Sequence, residues 1–291
     1  MKRSIGSGLL ICLVLGAAAT LAAQTAGTTP PNILVVTREF LKPGKGGSPH
    51  EKTESAFIQA MSAAKWSTTH YIGTDALSGP TRSVFFTPYD SYAAWEKDNL
   101  GVMANTSLSA ALDRAFIADG ELLSAVETNV FHYREDLSYH ADQVNVAQMR
   151  YFEAISFKAK PGHEMEWEAI DKMYVENYGK ADPNAHWSVY EQMFGRNSGG
   201  VYVVLIPLKS LAEIDASFAS DKKFFDQLGE SGIKKMAEMS AASTESVESN
   251  LLQFNPKISY PTDNMVKTDP GFWKPKPVAA PAKKPDAKPA Q

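Results

Sequence analysis

Val126-Glu127-Thr128-Asn129, followed by Tyr133 and Leu137-Ser138-Tyr139, returns as Val247-Glu248-Ser249-Asn250, Phe254 and Ile258-Ser259-Tyr260, at a constant shift of 121 residues. Three further anchors agree. Lys42-Pro43-Gly44 returns as Lys160-Pro161-Gly162, Trp66-Ser67 as Trp187-Ser188, and Pro88 with Ser91 as Pro207 with Ser210, at shifts of 118, 121 and 119. Solenoid units run about 20–50 residues, so this period is too long for one. It predicts two copies of one small domain whose half-structures bury a face against each other.

The ends are of a different kind. Met1-Lys2-Arg3 precedes an apolar run from Ile5 to Ala23 with small residues before Gln24, the pattern of a cleaved secretory signal over 1–23. Residues 24–31 then read as a linker, 32–140 as the first copy and 141–261 as the second. From 262 to 291 the chain turns rich in Pro, Ala and Lys, and a disordered tail is expected. The expectation is an exported chain without a membrane span, and a monomer, because the duplication supplies its own pseudo-dimer.

Cys12 is the single cysteine and lies in the apolar leader, so the mature chain has no disulfide, Cys-ligated zinc or cysteine nucleophile. Setting aside Lys2, Arg3, Asp286 and the five lysines after Trp273 leaves 22 basic against 32 acidic residues, a formal charge of −10. Nucleic acid is a poor partner for such a body.

Each copy reads as strand, helix, strand, strand, helices, strand. In the first, Asn32 to Phe40 is rich in β-branched residues and ends at the Lys42-Pro43-Gly44 turn. His50 to Lys65 is a helix, Ser67 to Thr74 and Arg82 to Thr87 are strands, and Asn129 to Glu135 closes the unit. In the second, Arg150 to Lys158, Trp187 to Phe194, Val201 to Pro207 and Asn250 to Phe254 are the strands, and Gly179 is placed to end the first helix. That order predicts an α+β fold of two tandem ferredoxin-like repeats. The strands are apolar on both faces, so the two sheets should close into one pseudo-dimeric α+β barrel.

With this element order and duplication, from about Asn32 to Tyr260, the chain resembles the dimeric α+β barrel superfamily, which includes antibiotic-biosynthesis monooxygenase-like, EthD-like and NIPSNAP-like proteins. The resemblance implies a small, mostly apolar ligand held between sheet and helices or inside the barrel. It also implies, for any catalysis, cofactor-independent oxidation or isomerisation.

Aligning Trp66 with Trp187 sets His70 opposite Glu191, each four residues past its tryptophan and on the same strand face. If that face lines the interior, imidazole and carboxylate form an acid/base pair. Otherwise they are pseudo-equivalent polar positions satisfied by their neighbours. Trp66, Trp187 and Tyr190 are aromatic candidates for the ligand wall or for plain core. Glu153 and Arg38 are charges in apolar strands, to be paired inside or placed at an edge. His50-Glu51 and His163-Glu164 each open a helix, yet consecutive helical residues diverge and two ligands are missing, so no metal is expected. The rival function is a non-enzymatic envelope or interaction protein with a filled barrel.

Overall fold

A computed structural model describes residues 29–274. The expected leader, Cys12 and the tail beyond Lys274 lie outside the described residues. Eight strands, β1 (Ile33–Leu41), β2 (Ile72–Ala76), β3 (Arg82–Tyr89), β4 (Leu123–Tyr139), β5 (Tyr151–Ala159), β6 (Trp187–Phe194), β7 (Val201–Leu208) and β8 (Thr244–Phe254), close into one antiparallel barrel. Their order around it is β1-β3-β2-β8-β5-β7-β6-β4. Outside lie α1 (Ser48–Ala63), α2 (Tyr92–Ala104) and α3 (Thr106–Gly120) on the first half, and α4 (Glu164–Ala181) and α5 (Ala212–Ser243) on the second. Two short helices, α6 (Asp263–Thr268) and α7 (Pro270–Trp273), end the described chain. None of the described helices is long and apolar enough to cross a membrane.

Each half orders its strands alike. Numbered within its half, the fourth strand lies beside the first, then the third, then the second: β4-β1-β3-β2 and β8-β5-β7-β6. Two seams join the halves, β2 on β8 through Thr74↔Phe254 to Ala76↔Leu252, and β4 on β6 from Val130↔Phe194 to Tyr139↔Trp187.

The alternation of the strands explains both layers. On β1, Leu34 and Val36 enter the barrel while Ile33 and Val35 pack under the helices with Tyr89 and Trp95. On β5, Phe152 and Ala154 point inward, and Ile155 and Phe157 outward. The interior is packed with apolar side chains from both halves, among them Phe86, Phe131, Phe152, Tyr190, Leu205 and Phe254.

The segment expected to be disordered from 262 is partly folded. Trp273 is buried in the barrel core, its indole N–H donating to Ala147 O at 2.8 Å, and the Arg150 guanidinium sits 4.0 Å from the Phe272 ring centre. Two aromatic anchors outweigh the local Pro and Lys content. Gly179 does not end α4 either. It lies within the helix, where a β-carbon would collide with the Tyr139 hydroxyl.

Candidate functional site

A cleft of about 1180 Å³ lies between the outer face of β5, β6 and β7 and the helices α4 and α5. Ile155 and Phe157 on β5, Trp187 on β6 and Val204 and Ile206 on β7 give it an apolar floor. Tyr174 and Tyr178 of α4 form one wall, Tyr174 stacked on Phe224 with ring centres 4.8 Å apart. Because α4 presents one face to the sheet, the same helix also delivers Trp167, Ile170 and Asp171 to the cleft.

Asp171 is the unusual group. Its Oδ2 is buried and has no hydrogen-bond partner among the described residues. Burial pushes its carboxyl up to about 7, and Asp136 and Glu168 add like charge, opposed by Arg134 and Lys172. Those neighbours form a network just behind it. Arg134 grips Asp136 with Nε to Oδ1 at 2.9 Å and Nη2 to Oδ2 at 3.0 Å, and its Nη1 donates to Glu168 Oε1 and Glu191 Oε2, both at 2.8 Å. The Tyr202 hydroxyl donates to Glu168 Oε1 at 3.0 Å. Hydrogen bonds from Arg134 hold the Asp136 and Glu168 carboxyls below their ordinary values. Asp171 thus faces the cleft as a carboxyl poised to exchange a proton near neutrality, beside carboxylates that stay ionised.

Four further acids line the cleft, Glu153, Asp182, Glu213 and Asp221. Glu153 is pushed up by burial and by Asp221, while Asp221 accepts the Tyr178 hydroxyl at 2.6 Å.

Of the seven site candidates His70, Glu191, Trp66, Trp187, Glu153, Arg38 and Tyr190, Trp187 and Glu153 line this cleft, and the other five do not. His70 and Glu191 share no hydrogen bond or ion pair among the described residues. Glu191 belongs to Arg134, whereas His70 stacks on Tyr260 at 5.3 Å between ring centres. The reason is local. β2 begins only at Ile72, because Trp66 Nε1 and the hydroxyls of Thr68 and Thr69 converge on Asp98 and hold residues 66–69 as a loop, so strand parity does not extend back to Trp66. Tyr190 is core inside the barrel. Arg38 also points inward, where the Asn129 carboxamide turns its oxygen to Nη1 at 3.2 Å. His163 is half-exposed, 3.4 Å from Glu166. Asp171 was missed because an acid one position past an apolar stripe residue reads as an ordinary solvated face. Only the depth of the cleft distinguishes it.

No protein-family model matches the chain, and no curated protein matches it in sequence. Among solved structures it is similar to a protein described as a candidate monooxygenase from Fusobacterium nucleatum subsp. nucleatum, at TM-score 0.50 and 11% identity over 78% of this chain and 94% of that one. It is also similar to an anthrone oxidase-like protein, at TM-score 0.51 and 14% identity over 77% and 92%. Proteins described as chlorite dismutases align less well, one at TM-score 0.44. With the first two this chain shares a fold, here a closed eight-stranded antiparallel barrel with helices outside it.

Proposed function

We propose that the chain is an exported small-molecule-binding α+β barrel protein that takes a mostly apolar, ring-bearing molecule in the cleft under α4 and α5. The observation that carries this reading is the unpartnered, buried Oδ2 of Asp171 on the wall of a cleft floored by Trp187, Phe157 and Ile155. Ligand sites combine an apolar, concave surface with a few convergent polar groups, and a strongly displaced carboxyl is a mark of one.

The chemistry such a site supports is proton transfer. In its ionised form Asp171 takes a proton from a phenol- or enol-class substrate, and the anion left behind is held against aromatic walls away from bulk water. Return of that proton from Asp171 to carbon instead of oxygen completes an isomerisation. Alternatively the carbanion form of that anion bonds to molecular oxygen, the oxidant, giving a peroxide anion that takes the proton back from Asp171 as a hydroperoxide. Where that carbon bears a further hydrogen, loss of water breaks the O–O bond and leaves a carbonyl, and the names of the two neighbours described above agree with this oxygenase route. Fold alone assigns no chemistry, so the site residues carry the argument. The two halves, alike in strand order, are read as tandem ferredoxin-like repeats, and residues 1–23 as a leader whose removal would give a mature N-terminus near Gln24.

The test is a panel of hydroxylated aromatic compounds, followed by thermal shift and by oxygen uptake, on wild type and Asp171→Asn. Binding by wild type, with turnover lost in the variant at unchanged circular dichroism, supports the reading. Identical behaviour of the two proteins overturns it. A second reading, a non-enzymatic interaction protein, draws on the packed barrel interior and on the exposed Phe218 and Phe225 of α5. It predicts that no compound in the panel binds.

A further inference from the structure

A second polar cluster is buried beneath the helices of the first half, on the opposite side of the molecule's duplication from the cleft. Glu39, one residue past Arg38 on β1, faces outward where Arg38 faces inward. It meets His50 and Glu54, one turn apart on α1, and Asp119 in the last turn of α3. His50 Nε2 lies 3.0 Å from Glu39 Oε2, 3.5 Å from Asp119 Oδ1 and 3.8 Å from Glu54 Oε1. One donor atom from each of the four comes within 4.8 Å of all the others.

Two observations separate this from an ordinary acidic patch. The first is Glu54, 4% exposed, whose Oε1 is turned to the cluster and stands 3.8 Å from His50 Nε2, beyond hydrogen-bond reach. The second is the locked imidazole. Ser83 Oγ donates its proton to Asp75 Oδ1 at 2.8 Å, so it has only lone pairs to offer His50 Nδ1 at 3.3 Å. Asp75 is in turn held by Asn255 Nδ2 at 2.7 Å. This network turns Nδ1 to Ser83 and leaves Nε2 as the ring nitrogen that faces the three carboxylates, hydrogen-bonded to Glu39 Oε2 at 3.0 Å. Lys257, the cation on the adjoining 3₁₀ turn at residues 256–258, is engaged with Glu51 on the outer side.

Three buried carboxyl groups around a single imidazole outnumber any positive charge it can carry, so the ionised cluster is costly unless a further cation lies among them. Burial and mutual repulsion push the Glu54 carboxyl up to about 9 and raise Glu39, which measures how poorly the cluster tolerates its own charge. We propose that Glu39, His50, Glu54 and Asp119 bind a divalent first-row transition-metal ion such as Zn²⁺ or Mn²⁺. One imidazole with three carboxylates suits these ions, whereas the all-oxygen preference of Ca²⁺ and Mg²⁺ leaves the histidine unexplained. An ion about 2.0–2.1 Å from each of four tetrahedral donors sets them about 3.4 Å apart, and the observed separations bracket that value. The Nδ1–H to Ser83 to Asp75 relay is the outer-shell support that metal-bound histidines require. Four protein donors with no cleft beside them form a closed, structural site, a clamp tying β1, α1 and α3 together. The proposal is independent of the reading given to the cleft.

Untagged protein, stripped with a chelator and then offered Zn²⁺ or Mn²⁺, should retain a single ion per chain after gel filtration, measured by elemental mass spectrometry, with a raised melting temperature. Glu54→Gln should weaken retention by about 10–100-fold, and His50→Gln likewise. Glu51→Gln, beside His50 but outside the cluster, should bind as wild type does. If His50→Gln fails to fold, Glu54→Gln keeps the test intact because the amide preserves shape. Wild type that retains neither ion, or Glu54→Gln that retains it unchanged, overturns the proposal. The cluster would then be held by shared protons, and its melting temperature would fall as pH rises through about 9, with or without metal.

Discussion

At the level of single residues, two side chains around the cleft carry opposite pH dependences. Asp171 is raised above the ordinary carboxyl value, so the stability it contributes is complete below that value and is lost as pH rises through about 7. Asp171→Asn should therefore be more stable than wild type by about 1 kcal/mol at pH 8, the margin narrowing as pH falls and closing below about pH 4, in urea titrations across that range. Arg134 acts the other way. It keeps Asp136 and Glu168 below their ordinary values, a contribution present near neutrality and lost as pH falls through the lowered range. Arg134→Gln should cost about 1–2 kcal/mol at pH 7, discounted because the Arg134 and Glu168 side chains are 20% and 21% exposed. The loss should vanish below about pH 4. Neither role was legible beforehand. Trp187 and Glu153 could be found as an aromatic and a charge in apolar strands, whereas Arg134 and Asp171 look like any surface charges until three elements converge on them.

Individual elements show where local signals suffice and where they are overridden. The β-branched strands and the Pro-Gly turns mark β1, β5 and β7 closely, because apolar residues stand on both faces of each strand, most completely in β7. The start of β2 was misread since Trp66 through His70 carries a strand-like pattern while its side chains are committed to Asp98. Only tertiary contact reveals such a commitment. Within α5, Gly229 adopts φ 63° and ψ 176°, a break in a helix that roofs the cleft. A β-carbon there meets nothing within 4 Å, so the strain of substitution is wholly in the backbone. Gly229→Ala should destabilise by about 1–3 kcal/mol in chemical denaturation, and a neutral result would mean that α5 can straighten.

As a whole molecule, the protein is bound together by an interior that neither half owns. Phe86 and Phe131 from the first meet Phe152 and Phe254 from the second, and two seams of paired strands run along the contact. Calorimetry should accordingly show one transition whose measured and van't Hoff enthalpies agree, while two resolved transitions would show that each half melts alone. The near 120-residue period pointed to two halves of like strand order, which the barrel has, because the matching turns and strand ends recur at matching places in both. It was silent on what each half came to hold, since matching backbones do not require matching side chains.

That the paired halves share one polypeptide has an evolutionary corollary. In an assembly of two identical chains every substitution is made twice, so a pocket opened on one side opens on the other and the loss of packing doubles. A linked pair is released from that constraint: one side has hollowed out around Asp171 while the other has filled with charge around His50. Two halves of like strand order can hold different side chains when each is encoded once.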